Sequence, residues 1–388
     1  MKPFVLLLFL VPLVSANPAH ILDFNDLFLK SVRRDSSPPA QVSRRLAIIY
    51  LAARDAHRVG KAAFYPDCPV PTEVIDSEKA ALAALYTAAG VLYPSHQPFY
   101  QKAQPAIPKP ARDYGRQVAF HYLKKRENDG STSRTTYVPK TATPGQWRRT
   151  PPRFRPPELS HWGRVRPFVL DSAAQFRPPP PPELGTKAFA QQLEAVLTQG
   201  GKSNPASDRE TATFWSCFSY TSTPAGHWNV ILADLLRKKK DVTPAETLDA
   251  FALLNVALAD AAIACWEAKY HYNFWRPESA AAHLDKTWQP CLESPPHPEY
   301  VSGHSTFAGA GATILTHLFP GEVRFQSTSD SVPDVTRTYQ SFQSCAAEMG
   351  QSRVLGGIHF PISNQEGLKL GKKVAQHVLA EFKSDPSS

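Results

Sequence analysis

The sequence is poor in features that cross-link small proteins or anchor them in membranes. It has 5 cysteines and 2 methionines in 388 residues, and no Cys-x-x-Cys pair. That absence argues against a zinc knot or a thioredoxin-like redox motif. The absence of any Asn-x-Ser/Thr acceptor argues against ordinary N-glycosylation. Beyond the N-terminal segment, no stretch is expected to reach the roughly 20 apolar residues that a membrane-spanning helix needs.

The N-terminus has the pattern of a secretory signal. Lys2 precedes an apolar run from Phe4 to Val14, and small residues follow at Ser15 and Ala16. This pattern predicts a signal peptide over residues 1–16 and a secreted mature protein without stable membrane insertion. An uncleaved N-terminal anchor is the alternative. In an oxidising compartment five cysteines permit at most two internal bridges, whose pairing the sequence leaves open.

The chain is basic, with a formal net charge of +9 and a pI near 9.2. Such a charge attracts anions. The basic residues are dispersed, however, and they lack the aromatic interleaving of a nucleic-acid surface. Nucleic acid is therefore not an expected partner, and the oligomeric state stays open.

Three regions are predicted from composition and periodicity. Residues 17–103 have helical periodicity, residues 104–185 are rich in proline, and residues 186–388 again have helical periodicity. Dense proline disfavours helices and favours extended connections, so the middle region is predicted to wrap over the surface. A disordered linker is the alternative. The predicted fold class is all-α, with helical bundles and long proline-rich irregular wraps.

The residues with most chemical information lie between positions 269 and 359. Ser302 precedes an apolar run with helical periodicity and is predicted to be an N-cap. The N–H groups near Gly303 then form an anion site, since a helix N-terminus presents unpaired donors. Arg353 precedes a Gly356-Gly357 turn that leads to His359.

Lys269 and Arg276 add two cations. If the helix that enters from Leu248 persists to Pro277, these two side chains share one helix face about two turns apart. Together with Arg353 they suit a tetrahedral oxyanion. The alternative is that nearby acids, Asp260 and Glu267, pair with them in buried salt bridges, although burying cations beside so few acids is costly.

These residues form three motifs: Lys269-x6-Arg276-Pro277, Ser302-Gly303-His304, and Ser352-Arg353-x5-His359. In this order and spacing they resemble the signature of the vanadium-dependent haloperoxidase and type 2 phosphatidic acid phosphatase superfamily. The segment 161–168, His-Trp-Gly-Arg-Val-Arg-Pro-Phe, resembles a bridging segment of the bacterial-type haloperoxidases and favours an ordered wrap. The resemblance implies a helical-bundle fold with the active site in the C-terminal bundle.

The resemblance also implies a vanadate cofactor, with no haem or flavin. His359 would be the axial ligand to the metal, and His304 the acid/base group. The expected cofactor-binding residues are Lys269, Arg276, Ser302, Gly303, Arg353 and His359. Hydrogen peroxide would give a peroxovanadate activated by Lys269, and a halide would leave as hypohalous acid that reacts with a small organic acceptor.

Two other functions stay open. As an acid phosphatase, the chain would use His359 as the nucleophile and His304 to protonate the leaving group. As a catalytically silent secreted protein, it would bind oxyanions without turnover. The phosphatase pattern often places Asp four residues after the final histidine to orient it, whereas this chain has Ser363. That substitution predicts a less basic His359 and a weaker case for the phosphatase.

Halide choice depends on His297, seven residues before His304. In the family that this chain resembles, some enzymes of the bromide-using kind have His at this position, whereas a chloride-using enzyme has Phe. The resemblance therefore implies bromide or iodide as the halide. A surface position in the loop 294–296 is the alternative for His297. Trp275 and Phe360 are candidates for the apolar wall of the halide pocket, or for core packing. Val301 replaces the usual proline of the motif, which predicts a slightly looser turn.

Overall fold

The protein is described by a computed structural model that covers residues 18–135, 137–139, 143–218 and 220–382. The predicted signal peptide, residues 1–16, lies outside the described residues. Within them the fold is all-α apart from one two-stranded antiparallel sheet, which confirms the predicted class. The helices are α1 Ala19–Asp35, α2 Pro39–His57, α3 Ser77–Leu92, α4 Gln97–Ala103, α5 Lys109–Lys125, α6 Lys187–Gln199, α7 Ala206–Phe214, α8 Thr223–Lys238, α9 Pro244–Tyr272, α10 Pro277–Ala281, α11 Gly303–Leu318, α12 Phe342–Leu355 and α13 Pro361–Glu381, with strands β1 Phe325–Thr328 and β2 Thr336–Tyr339.

Helix α9 is the central element of the protein. Thr243 and Glu246 begin it with a reciprocal capping box. The helix packs against α2 on the N-terminal side and against α11 and α13 on the C-terminal side. By length and composition α9 is apolar enough to cross a membrane, although the sequence was expected to contain no such stretch beyond the N-terminal segment. However, 94% of its most apolar window is buried inside the protein. Its uniform apolarity is therefore accounted for by a position between two bundles.

Helix α9 ends earlier than the sequence predicts. It stops at Tyr272 because Asn273 takes a left-handed conformation, with φ of 51°. The proline-rich region supplies new partners there: Trp147 N–H donates to Asn273 O at 2.8 Å, and Trp275 N–H donates to Gly145 O at 3.0 Å. The chain then turns, and Arg276 becomes the N-cap residue of α10. The helix therefore does not persist to Pro277, the condition under which Lys269 and Arg276 would share one helix face is not met, and the two side chains lie on different segments.

Helices α11 and α13 approach closely through glycines. A Cβ added at Gly371 would lie 2.0 Å from Thr306 O, and one at Gly309 would lie 2.2 Å from Leu368 O. The start of α13 is tied to the start of α11 by a hydrogen bond from Ser302 N–H to Ser363 O, at 3.1 Å. This packing brings the N-terminus of α11 beside the segment that carries His359.

The proline-rich region is an ordered wrap where it is described, not a disordered linker. Buried Asp260 of α9 accepts backbone N–H bonds from Phe168, Val169 and Leu170, at 2.7, 2.8 and 3.0 Å. A Cβ at Gly163 would lie 2.5 Å from Glu267 Cα, so only glycine lets this segment press against α9. The expectation of an irregular region over residues 104–185 misses helix α5, which packs against α2 and α3.

The five cysteines all belong to described residues, and each has a free thiol. Burial raises the pKa of Cys217 to about 12 and the pKa of Cys68 to about 12. Cys265 is buried within α9.

Candidate oxyanion site

Arg276 connects two segments of the site. Its guanidinium is fully buried, and its Nε and one terminal nitrogen donate to His297 O at 3.1 and 2.9 Å. The other terminal nitrogen donates to Ile358 O at 2.9 Å and to His359 Nε2 at 3.2 Å. Because Arg276 bridges these segments, the loop before α11 and the loop before α13 are held at a fixed separation.

Lys269 lies behind the loop that precedes α11. Its ammonium group donates to Pro298 O at 3.1 Å, to Glu299 O at 2.9 Å and to Val301 O. Three carbonyl oxygens thus take the three N–H donors of the ammonium, and the side chain is fully buried. Lys269 would have to exchange one carbonyl to contact an oxyanion, which differs from the direct role expected from the sequence.

Arg353 is one of two arginines that line the cavity, the other being Arg155. Arg353 lies in the last turn of α12, where its Nε donates to Ser352 Oγ at 2.9 Å and a terminal nitrogen donates to Ala212 O at 2.8 Å. Its guanidinium lies on the cavity wall beside Gly303, His304 and His359. It is therefore the permanent cation best placed to meet an anion.

The acids that were the alternative partners of these cations are engaged elsewhere. Asp260 binds the backbone of the wrap, and Glu267 forms a salt bridge with Arg177. Burial lowers the pKa of Arg276 to about 10 and that of Lys269 to about 8, because it opposes the charged form. The buried cations are therefore short of carboxylate partners, which favours the oxyanion interpretation over structural salt bridges.

The N-terminus of α11 opens onto the same cavity. Ser302 is the N-cap, as predicted, and its hydroxyl accepts from Ser305 N–H at 3.3 Å and from Ser305 Oγ at 3.1 Å. Gly303 is the first helical residue, so its N–H has no partner within the helix, and it lines the cavity. The positive end of a 16-residue helix thus adds to the charge of Arg353.

His359 contacts a carboxylate that the sequence reasoning did not anticipate. Glu299 is fully buried, and its Oε1 accepts from His359 Nδ1 at 2.7 Å and from Phe360 N–H at 3.0 Å. Ser363 Oγ lies farther away, 3.5 Å from His359 Nδ1. The expectation that His359 lacks a carboxylate was therefore wrong, because an acid from another loop takes that place. The sequence feature that could have pointed to this contact is Glu299 itself, the one acidic residue in the turn 297–304.

His304 lies at the second position of α11 and is half-buried on the cavity wall. Its Nε2 is 3.2 Å from Ser216 O, a carbonyl that can only accept, so this contact requires a proton on Nε2. Burial lowers the pKa of His304 well below its usual range, and the charge of Arg353 acts in the same direction. His304 is therefore a neutral imidazole with Nδ1 available as a proton acceptor.

The cavity has an empty volume of about 750 Å³, including its open mouth. Its wall joins the site to the proline-rich wrap and to the N-terminal bundle. Among the residues that line the cavity are Arg155, Glu158, Cys217, Trp266, His297, Gly303, His304, Phe307, Arg353 and His359. A concave pocket with aromatic side chains and a few polar groups on its wall is typical of a small-molecule site.

His297 is on this cavity wall and not in an exposed loop. It is 8% exposed, its Nδ1 is 3.0 Å from an Arg276 nitrogen, and its ring lies 5.2 Å from the Trp266 ring. Burial lowers the pKa of His297 well below its usual range, with Lys269 and Arg276 adding to the effect. The alternative of a surface position for His297 was therefore wrong.

The two aromatic residues proposed for the halide wall lie outside the lining of this cavity. Trp275 and Phe360 both pack on the ring of Phe189, at centroid distances of 6.2 and 5.8 Å. The apolar part of the wall comes instead from Trp266 and Phe307. Sequence proximity to the motifs favoured Trp275 and Phe360, but their rings point into the helix packing around α6.

The donor set fits an oxyanion better than a bare metal ion. No group of three or more His, Cys, Asp or Glu side chains able to hold a metal ion occurs in the part of the chain that the structure describes. The pocket instead offers permanent cations, an unpaired Gly303 N–H and the Nε2 lone pair of His359. One nitrogen ligand surrounded by hydrogen-bond donors suits the central atom and the oxygens of vanadate or phosphate.

The chain resembles known proteins in sequence and in structure. Residues 249–385 match a family model described as the VCPO second helical-bundle domain. The chain is 29% identical to a vanadium chloroperoxidase of Curvularia inaequalis over 47% of its length, and 31% identical to a vanadium-dependent bromoperoxidase of Corallina pilulifera over 23% of its length. These matches span 35% and 17% of the two relatives.

A solved structure of a bacterial vanadium-dependent iodoperoxidase covers far more of the chain. It superposes with a TM-score of 0.85 and 30% identity, over 96% of this chain and 99% of the other. The three relatives carry the names of three different halides. The similarity therefore identifies the family but does not identify the halide that this chain would use.

Proposed function

Because this chain belongs to the vanadium-dependent haloperoxidase and type 2 phosphatidic acid phosphatase superfamily, we propose that it is a haloperoxidase that oxidises bromide or iodide. The balanced reaction is hydrogen peroxide, halide and a proton giving hypohalous acid and water. The observation that carries the proposal is the unprotonated Nε2 of His359, held by Arg276, in a cavity whose wall also carries Arg353, Gly303 and His304. Secretion, proposed from residues 1–16, is checked by N-terminal sequencing of the mature protein.

The residues at the site fit vanadate. His359 would hold the metal once Arg276 releases its Nε2, while Arg353 and the Gly303 N–H would neutralise the oxygens of vanadate. Arg276 and Lys269 would join them after exchanging acceptors that they now hold. When bound, vanadate supplies Lewis acidity that activates hydrogen peroxide towards attack by a halide. The hydroxyl of Ser302, which already accepts two hydrogen bonds, keeps its own proton to donate.

The chain's own side chains would handle protons and the halide. His304 has a half-buried, neutral imidazole, so it can take a proton from incoming peroxide and return it to departing water. His297 lines the cavity with its Nδ1 beside Arg276, where it would contact the halide. Trp266 and Phe307 would limit water around the reacting halide.

A phosphatase is the second candidate, and one observation favours it. The carboxylate of Glu299 accepts the Nδ1 proton of His359, so Nε2 is unprotonated and would attack phosphorus once Arg276 releases it. The phosphatase would then use His304 to protonate the leaving group. Vanadate resembles the transition state of phosphoryl transfer, so the same cradle suits both reactions.

The deciding experiment measures both activities on purified protein. The vanadate-reconstituted form is assayed for peroxide-dependent oxidation of iodide, bromide and chloride, with and without phosphate as a competitor. The vanadate-free form is assayed for ester hydrolysis. We expect halide oxidation that phosphate suppresses, that is lost in His359→Ala and that is kept in the exposed control His317→Ala.

Hydrolysis without halide oxidation would overturn the haloperoxidase proposal in favour of the phosphatase. Stoichiometric vanadate binding with neither activity would make the chain an oxyanion-binding protein. Haem or flavin in the active preparation would contradict the proposed cofactor.

A further inference from the structure

The buried carboxylate of Glu299 joins the loop before α11 to the loop before α13. Its Oε1 accepts from His359 Nδ1 and from Phe360 N–H, at 2.7 and 3.0 Å. The backbone carbonyl of the same residue accepts from Lys269 at 2.9 Å. Glu299 is therefore fixed at both ends, and neither end lies in the lining of the cavity.

The neighbours of His359 permit a single tautomer. Arg276 lies 3.2 Å from His359 Nε2, and a guanidinium can only donate, so Nε2 must be unprotonated there. A neutral imidazole then carries its proton on Nδ1, which needs an acceptor. Glu299 Oε1 is that acceptor, since Ser363 Oγ is 3.5 Å away. The two contacts are consistent with each other only when the lone pair is on Nε2.

We propose that Glu299 is the positioning residue of the site: it holds the proton of His359 on Nδ1 and so keeps the lone pair on Nε2, where Arg276 now donates and where the central atom of an oxyanion would bind in its place. Glu299 thereby replaces the carboxylate that phosphatase relatives place four residues after the histidine, where this chain has Ser363. The inference rests on the proposed function in so far as His359 binds the central atom of an oxyanion. It holds for vanadate as a bound cofactor and for phosphate as a substrate.

The physical reason is orientation of a ligand by its second hydrogen bond. A histidine that donates its other ring N–H to a carboxylate keeps one tautomer and one ring orientation, and loss of such a partner typically lowers metal affinity about 10–100-fold. The same carboxylate fixes the backbone at Phe360, the residue that precedes α13. A change at Glu299 is therefore expected to act on affinity at a site that its side chain does not line.

The test measures vanadate binding, not turnover. The vanadate-free protein is titrated with orthovanadate by equilibrium dialysis, and bound vanadium is measured by mass spectrometry. We expect Glu299→Ala to raise the Kd about 10–100-fold. Glu299→Gln retains a neutral oxygen acceptor and should lose less vanadate affinity than Glu299→Ala. The relocation variant, Glu299→Ala with Ser363→Asp, should recover affinity that Glu299→Ala lost, whereas a purely structural role would give no recovery.

A second measurement uses the wild-type protein and does not depend on how any variant folds. Nitrogen-15 NMR of histidine-labelled protein, with His359 assigned by its absence in His359→Gln, reports which ring nitrogen carries the proton. We expect a protonated Nδ1 and an unprotonated Nε2. The opposite tautomer overturns the proposal, as does unchanged vanadate affinity in a folded Glu299→Ala protein.

Failure of this inference differs from failure of the proposed function. A wild-type protein that binds vanadate without oxidising halides or hydrolysing esters would remove the enzyme proposal, yet the affinity loss in Glu299→Ala would remain. An active enzyme with normal vanadate affinity after Glu299→Ala would remove only the role of Glu299. The control Glu158→Ala changes another carboxylate at the cavity wall and should leave the tautomer of His359 unaltered.

Discussion

At the residue scale, one set of side chains in the site carries positive charge and another set, the histidines, can bind or transfer protons. Permanent cations surround the pocket, and they keep the nearby histidines neutral: burial lowers the pKa of His359, and Arg276 and Lys269 lower it further. Burial raises the pKa of Glu299 to about 7, with the same two cations opposing the rise. Under the proposed function, the neutral histidine would serve as the ligand while arginine carries the charge.

His304→Ala should reduce turnover far more than binding. His304 lies on the cavity wall as a proton acceptor, whereas the retention of the anion depends on His359 and the cations. General acid–base groups typically contribute about 10²–10⁴-fold in rate, so we expect a loss in that range with the vanadate Kd nearly unchanged. Steady-state halide oxidation and equilibrium dialysis measure the two quantities. An unchanged kcat would remove His304 as the acid/base group.

His297→Phe should alter halide selectivity. The substitution keeps a ring near Trp266 but removes the nitrogen beside Arg276. A hydrogen bond to a charged group contributes roughly 1.5–3 kcal/mol, so we expect the ratio of bromide to chloride oxidation to change about 10–100-fold. The control His283→Phe changes a ring that packs on Trp275, outside the cavity lining. Equal ratios in both variants would show that His297 does not contact the halide.

At the scale of elements, close helix packing sets the geometry of the pocket. The start of α11 provides Gly303, and the residues before α13 provide His359. Glycines at the crossing allow the two backbones to approach, and the hydrogen bond from Ser302 N–H to Ser363 O fixes their register. The distance between the helix N-terminus and the histidine is thus a consequence of packing along the length of both helices.

Gly371→Ala should disturb both stability and binding. Its new methyl would lie 2.0 Å from Thr306 O, a backbone atom that cannot move without shifting α11. Overpacking of this kind costs about 1–3 kcal/mol. We expect that loss in urea unfolding, together with a higher vanadate Kd. The control is Gly90→Ala in α3, where the nearest side-chain atom is at 3.5 Å and alanine should favour the helix. Equal stability of the two variants would contradict the packing argument.

His227 on α8 should make the fold sensitive to acid. It is buried with Nε2 2.7 Å from Ser327 Oγ, and burial lowers the pKa of His227 to about 4. Between that value and the unfolded pKa of about 6.5, the unfolded chain binds more protons, so stability falls as the pH falls. Above about pH 6.5 this contribution is fully present.

The variant His227→Gln should lack this part of the acid sensitivity. From pH 7.5 to 4.5 we expect the wild type to lose about 2.5 kcal/mol more unfolding free energy than the variant, as measured by urea titration at both pH values. The exposed control His317→Gln should behave as the wild type does. Parallel losses in wild type and His227→Gln would show that His227 is not the titrating group.

At the scale of the whole molecule, α9 and the proline-rich wrap join the two helical regions. The wrap contacts α9 at Asp260 and terminates it at Asn273, which in turn sets the position of Arg276. Pro39 of α2 lines the cavity beside residues of the C-terminal bundle. The active site therefore depends on parts of the chain far from the three motifs.

Asp260→Ala should loosen the wrap. Three backbone N–H groups would lose their acceptor, and an unsatisfied buried group costs about 1–3 kcal/mol. We expect a lower unfolding free energy and faster proteolysis within residues 143–182. The control Asp113→Ala removes an exposed carboxylate paired with Lys109, which should contribute little. Proteolysis at the wild-type rate in Asp260→Ala would contradict this role.

The sequence by itself determined the family, the all-α class and the N-cap at Ser302, because each depends on local periodicity or on motif spacing. It also identified Arg276, which contacts His359, and Gly303, His304 and Arg353, which share its cavity wall. Only the tertiary structure decided that Glu299, not position 363, contacts His359, and that Trp266 lines the cavity while Trp275 packs on Phe189. Contacts between segments distant in sequence depend on how helices pack and where loops cross, and a linear pattern does not contain those distances.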